Sequence, residues 1–327
     1  MASITDLKPP IPPDDARPYL GPAPVQRRRA AFAMLLTGRA REDDSAVDHF
    51  ERFAQQQRLS TDGLWIATQG GPLGRMDASI LMVPNPGATA MLFIGQAGAW
   101  RDHQVVVDLI RTACLNELYR EVRVVQSLLD PGQVLEAKVL ERAGLRKLAK
   151  LVYMQKGIDR REFAAPRPET LARVPAKLSL YTEANHGRFA RAILASYEDT
   201  LDCPGLVGLR DIDQIILGHR STGRFDPNLW HVFYDEQDRP IAVLLLAPSS
   251  AGVGFELVYL GVARPYRGMG VGGQLMSYAI AESTRRGADR MYLAVDDRNE
   301  PAMKLYHALG FRGVTRKLAY IMPRDAG

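Results

Sequence analysis

The sequence predicts an α/β protein, of the α+β type with a mixed sheet, built as two domains in tandem. Three observations carry this. The chain has 327 residues, 46% hydrophobic and 24% charged, which suits two cores at roughly 100–200 residues per domain. Strand-like runs alternate with helix-spaced apolar residues through most of it. Compared with itself without gaps at an offset of 166 residues, the chain lays one set of markers over another.

Residues 1–26 hold Pro9, Pro10, Pro12, Pro13, Pro18, Pro22 and Pro24 with few apolar anchors, and read as an extended arm. A first domain is expected over 27–158. Residues 159–176, with Pro166, Pro168 and Pro175 among charges, read as a linker. The second domain, 177–327, is patterned more clearly. Leu178–Tyr181 predicts a strand. Ala184–Tyr197 predicts a helix, because Phe189, Ile193, Leu194 and Tyr197 recur at helical spacing. Asp211 is a credible N-cap for a short helix to Gly218. Trp230–Tyr234 and Ile241–Ala247 read as strands joined by the polar turn Asp235–Pro240. Glu256–Val262 is a strand and Gly270–Arg286 a helix stopped by Gly287. Met291–Val295 is a strand, Ala302–Leu309 a helix closed by Gly310, and Gly313–Met322 the last strand.

Composition excludes several classes of function. The net charge is +5, yet the basic residues are scattered and Arg27-Arg28-Arg29 is the one tight run, so no nucleic-acid partner is expected. The longest apolar runs fall far short of the roughly 18 residues of a membrane span, so no membrane partner is expected. The start lacks the blocks of a signal peptide, which makes the cytoplasm the expected location. Cys114 and Cys203 supply neither a disulfide framework nor a ligand cluster, and no spacing suggests a metal.

The chemistry concentrates at Arg264-Pro-Tyr-Arg-Gly-Met-Gly-Val-Gly-Gly273, between a strand and a helix. Glycines let a backbone approach a ligand closely, and the unpaired amides of a helix's first turn form a cradle for pyrophosphate. Arg267 adds positive charge at its edge. Gly268, Gly270 and Gly273 formally satisfy the G-x-G-x-x-G dinucleotide fingerprint, which would make an oxidoreductase. Against that, the loop lies near the chain end, and Arg264–Arg267 stand between the strand and the first glycine.

Glu256-Leu-Val-Tyr-Leu-Gly-Val262 followed by Arg267-Gly-Met-Gly-Val-Gly272 resembles motif A of the GNAT superfamily of acyl-CoA-dependent N-acetyltransferases, with its R/Q-x-x-G-x-G/A pattern. Asn299-Glu-Pro-Ala-Met-Lys-Leu-Tyr306 and Leu309-Gly-Phe311 resemble its motif B. The resemblance implies a GNAT fold and acetyl-CoA as cosubstrate. Coenzyme contacts are then expected from Leu260, Gly261 and Val262 beside the pantetheine, from Arg267, Gly268, Met269, Gly270, Val271, Gly272 and Gly273 at the pyrophosphate, and from Asn299. It further implies Glu256 as general base, Tyr306 as general acid to the leaving thiolate, and a strand amide holding the thioester oxygen. The acceptor is expected to be a small-molecule or peptide amine. The acidic stretch Glu198, Asp199, Asp202, Asp211 and Asp213 hints at an ammonium, although caps explain such residues as easily. A homodimer is left open. The rival reading is an acyl-CoA-binding regulator without turnover.

At the 166-residue offset Gly310 falls on Gly144, Asp296 on Asp130, Leu275 on Leu109, Arg267 on Arg101 and Gly261 on Gly95. The halves therefore read as copies of one domain, an arrangement that tandem members of the superfamily also show. The first copy is degenerate. Gly268, Gly270, Gly272 and Gly273 become Asp102, Gln104, Val106 and Val107, while Glu256, Tyr306 and Asn299 become Ala90, Leu140 and Gln133. It is expected neither to bind the coenzyme nor to catalyse.

Overall fold

A computed structural model describes residues 17–40, 45–56, 60–159, 169–171, 173–249 and 254–324. Its elements, in order, are β1 (Tyr19–Pro22), α1 (Arg28–Thr37), α2 (Ser45–Gln56), β2 (Leu64–Gln69), β3 (Arg75–Asn85), β4 (Thr89–Ile94), α3 (His103–Tyr119), β5 (Val124–Leu129), α4 (Val134–Ala143) and β6 (Arg146–Gly157). A two-stranded ribbon follows, β7 (Thr170–Leu171) and β8 (Val174–Pro175). Then come β9 (Lys177–Leu180), α5 (His186–Tyr197), α6 (Ile212–Arg220), β10 (Trp230–Tyr234), β11 (Pro240–Pro248), β12 (Phe255–Val262), α7 (Val271–Arg285), β13 (Arg290–Asp296), α8 (Glu300–Ala308) and β14 (Arg312–Pro323).

The duplication read from the sequence carries through to the elements. Adding 166 to the bounds of β6 gives those of β14, and the same shift carries β2 onto β10, β5 onto β13 and α4 onto α8 to within a residue. Both of the last two helices end on a glycine in the left-handed region, Gly144 at φ 108° and Gly310 at φ 84°.

The chain forms two compact units, 1–84 with 90–120 and 133–145, and 85–89 with 121–132 and 146–327. This differs from a cut at a linker. In the first unit the strand order is β1-β2-β3-β4. Its core packs Ala31, Phe32 and Leu35 of α1 against Leu64, Ile66, Met76 and Leu81 of the sheet. The expected Pro-rich arm is structured at its end, where Tyr19–Pro22 pairs antiparallel with β2. Its first 16 residues lie outside the described ones.

In the second unit the order is β5-β14-β6-β13-β12-β11-β10-β9. The last strand of each repeat is exchanged. β6 lies antiparallel between β13 and β14, and β14 between β5 and β6. The expected boundary at 158 therefore falls one strand late. The expected linker 159–176 is also partly ordered, since its Leu171 is fully buried in the core of this unit; residues 160–168 and 172 lie outside the described ones. β11 is buried on both faces, and its side chains alternate between two cores. Ala242, Leu244 and Leu246 meet α7, whereas Val243 and Leu245 meet α5 and α6. Among the described residues no helix is long and apolar enough to cross a membrane.

Candidate functional site

The site begins with a break in the sheet. β12 pairs with β13 in parallel only at Phe255–Met291 and Glu256–Tyr292, after which the two strands part. On its other side β12 carries a β-bulge: Leu245 faces Tyr259 and Leu246 faces Leu257, so Val258 has no opposite number. The extra residue reverses the alternation, which puts both Leu257 and Leu260 against the α7 core and both Val258 and Tyr259 against the α5 core.

A cavity of about 420 Å³ opens where the strands diverge. Leu257–Val262 line one wall, Ala294 and Val295 the other, and the loop Asp199–Asp202 a third. The glycine loop lines it too, as do Asn299, the N-cap of α8, and Leu305 and Tyr306 of that helix. Beyond Glu256 the β13-facing edge of β12 has no ladder partner, so its peptide groups are open to an extended ligand.

The glycine loop is shaped for an anion. Gly268 (φ 74°) and Gly270 (φ 83°) occupy the left-handed region, and Gly270 is the N-cap of α7. The first amide to reach back into the helix is that of Gln274, donating to the Gly270 carbonyl at 3.1 Å. The first turn before it thus presents its N–H groups at the positive end of the helix. Gly272 is small for packing as well, because a Cβ there would stand 3.3 Å from Leu305.

Of the residues expected at the coenzyme, Leu260, Gly261, Val262, Arg267, Gly268, Gly270, Val271, Gly272 and Asn299 line this cavity. Met269 is instead turned outward and exposed, and Gly273 sits behind the wall, 3.7 Å from Leu305 if it bore a Cβ. Arg267 is not a free charge. Its Nε donates to the Val262 carbonyl (2.9 Å), Nη1 to Asp199 (3.1 Å) and Nη2 to Ser196 (2.9 Å). It ties α5 and the following loop to the end of β12. Asn299 is a helix cap, accepting from the Ala302 amide at 3.3 Å.

The two residues expected to catalyse separate. Tyr306 is 7% exposed, leans on Phe311 and lines the cavity, and burial drives its hydroxyl pKa well up. Glu256 lies before the splay, outside the cavity lining, and its Oε1 accepts from Ser249 Oγ at 2.9 Å. The acidic stretch divides too. Glu198 and Asp199 both pair with Arg264, Asp211 caps α6 in a capping box, and Asp213 bonds His186. Asp202 remains on the cavity wall.

Sequence reasoning missed Ser196 and Tyr259. The Tyr259 ring stacks on His219 at 5.2 Å between centroids, and its hydroxyl meets Ser196 Oγ at 2.8 Å. His219 is enclosed enough for burial, with Arg210 nearby, to push it down to about 4. His231 is a core residue against Tyr278. The bulge that brings Val258 and Tyr259 to one side has no signature in a one-residue alternation pattern.

In the first unit the equivalent helix start is closed from within. Asp102 caps α3 by accepting from the Gln104 amide at 2.7 Å, and buried Glu136 accepts from the Ala97 amide at 2.7 Å. Among the described residues no group of three or more His, Cys, Asp or Glu could hold a metal ion.

Residues 193–311 match the model of the Acetyltransferase (GNAT) family. A mycothiol acetyltransferase of Corynebacterium aurimucosum is 41% identical over 56 residues, 17% of this chain and 18% of the relative. The chain thus spans less than a fifth of the curated relative it matches. A crystal structure of a GCN5-related N-acetyltransferase from Sphaerobacter thermophilus resembles it with a TM-score of 0.57 at 17% identity, covering 96% of this chain and 98% of that one. That likeness shows a shared fold. A tandem GNAT protein from the clavulanic acid biosynthesis pathway has a TM-score of 0.49 at 12% identity, covering 95% and 98%.

Proposed function

From the match of residues 193–311 to the acetyltransferase (GNAT) family model, we propose that the chain is an acyl-CoA-dependent N-acyltransferase that moves acetyl from acetyl-CoA to a primary amine of a small molecule or peptide. One observation carries the reading: a single cavity brings together an anion cradle, an unpaired strand edge and a buried tyrosine.

In this reading the amides at the start of α7 hold the coenzyme pyrophosphate, and their fixed dipoles need no rearrangement to do so. The open edge of β12 hydrogen-bonds the pantetheine as an added strand would and leads the thioester toward Tyr306. A backbone amide of β12 near the Val258 bulge holds the carbonyl oxygen as charge develops on it. The amine attacks directly, forming the N–C bond as the C–S bond breaks. Tyr306 gives the departing thiolate its proton. Burial that disfavours the phenolate keeps Tyr306 protonated until then.

Calorimetry with acetyl-CoA is expected to find one site per chain, because Asp102 already occupies the equivalent helix start in the first unit. Gly270→Asp puts a side chain in the left-handed region and a negative charge in the cradle. It should weaken binding at least about 100-fold, close to 3 kcal/mol. Two equivalent sites, or a site indifferent to Gly270→Asp, would count against the reading. Binding without thiol release over an amine panel would leave a binding regulator.

A further inference from the structure

Acyl transfer to an amine leaves a proton on nitrogen, and the cavity wall offers two carboxylates to take it, Asp199 and Asp202. Asp199 is neutralised, its Oδ2 lying 3.1 Å from Arg264 Nη1. Asp202 forms no ion pair among the described residues. Its Oδ1 accepts the Asp296 amide at 3.0 Å, which fixes the carboxyl group at the end of β13 and leaves Oδ2 without a partner among the described residues. The carboxylate is close enough to raise the hydroxyl pKa of Tyr306, and it acts in the same way on Tyr259 and Tyr197. As a residue Asp202 is exposed. Its carboxyl group is nonetheless crowded enough for burial to push its pKa above the usual carboxylate range. Arg267, the cation on the same wall, is spent on three carbonyls. The wall therefore presents a lone carboxylate to whatever enters beside Tyr306.

Resting on the acyl-transfer reading, we infer that Asp202, not Glu256, receives the acceptor as a protonated primary amine and is its general base. The ammonium N–H donates to Oδ2, and this first proton passes through Asp202 to solvent. The freed nitrogen lone pair attacks the thioester carbon and the C–S bond breaks; the second nitrogen proton moves to Asp202, and the thiolate takes the Tyr306 proton. Asp202 returns its proton to the tyrosinate through solvent in the cavity. The sum is alkylammonium plus thioester giving amide, thiol and one proton released to solvent.

The titratable groups facing Asp202 are Asp296 with its partner Arg298, Cys203, and the hydroxyls of Tyr197, Tyr259 and Tyr306. Burial pushes Cys203 and Tyr197 up to about 12 and the other two tyrosines up as well. Burial opposes ionisation of Asp296, but hydrogen bonds from Arg298 outweigh it and hold that carboxyl low. In this cluster Asp202 is the carboxyl group that burial holds above its usual range.

The test compares the full-length wild type with Asp202→Asn, Asp202→Glu and Glu256→Gln. It reads acetyl-CoA affinity by calorimetry and thiol release with simple primary alkylamines across pH 6 to 9. Asp202→Asn should bind acetyl-CoA within about twofold of wild type, showing that it is folded, and lose about 100-fold or more in kcat/KM. Its amine must then arrive already neutral, so its rate should climb about tenfold per pH unit while the wild type levels off. Asp202→Glu should recover part of the rate and the plateau, and Glu256→Gln should cost less than Asp202→Asn. An Asp202→Asn enzyme with the wild-type rate and profile, above all with Glu256→Gln inactive, overturns the assignment. A wild type that binds no acetyl-CoA or releases no thiol overturns the acyl-transfer reading, and this proposal with it.

Discussion

At the scale of residues, His219 shows what enclosure does to a titratable group. Its ring lies against Tyr259, and its buried Nε2 has no hydrogen-bond partner among the described residues. Burial, first, and then the nearby Arg210 charge push the imidazole down to about 4 from an ordinary 6.5. The unfolded chain therefore binds a proton that the folded one resists. Stability should be full above pH 6.5 and fall as pH drops toward 4, by about 2 kcal/mol between pH 7 and 5 from this group. His219→Phe keeps a ring on Tyr259 and cannot protonate, so urea midpoints across that range should fall less steeply than in the wild type; equal slopes would refute the assignment. The residues of the glycine loop were legible because positive φ and close approach demand glycine. Asp202 was legible only as one of five acidic residues, since sequence cannot show that Glu198 and Asp199 share Arg264 while Asp211 serves as a cap.

At the scale of elements, β12 decides most of the site. Gly261 faces α5 so closely that a Cβ would stand 2.3 Å from Ser196 Oγ and 2.8 Å from the Tyr259 ring. Gly261→Ala should therefore push α5 from the strand and disturb the Tyr259–Ser196 bond. It should cost about 1–3 kcal/mol in chemical denaturation, as overpacking does, and lower thiol release with it. A neutral effect would mean that α5 yields freely. The helices of this unit were readable from apolar spacing and caps, as the capping box at Asp211 shows. The site's shape was not, because splay and bulge are relations between strands. Glu256 stood in the sequence where a base was expected, yet the bulge and the splay begin only after it.

At the scale of the molecule, the exchange of β6 and β14 ties the two repeats together. β13 finds its antiparallel neighbour in a strand of the first repeat, with Val152 and Met154 of that strand in the core that also holds Tyr306. A fragment starting at residue 159, the linear second domain, should thus expose the edge of β13 and lose part of that core. It is expected to be insoluble or unfolded by circular dichroism; a soluble, cooperatively melting fragment that binds acetyl-CoA would show that the exchanged strand is dispensable. The repeated unit, the order of its elements, the glycine loop and the loss of its glycines in the first copy can all be read from residues alone. These depend on local backbone demands and on periodicity, which are written residue by residue. Which copy each final strand completes, and which carboxylate lies near Tyr306, emerge from folding. Duplication gave both final strands the same pattern, and the role of a charge is set by the neighbours that folding brings to it.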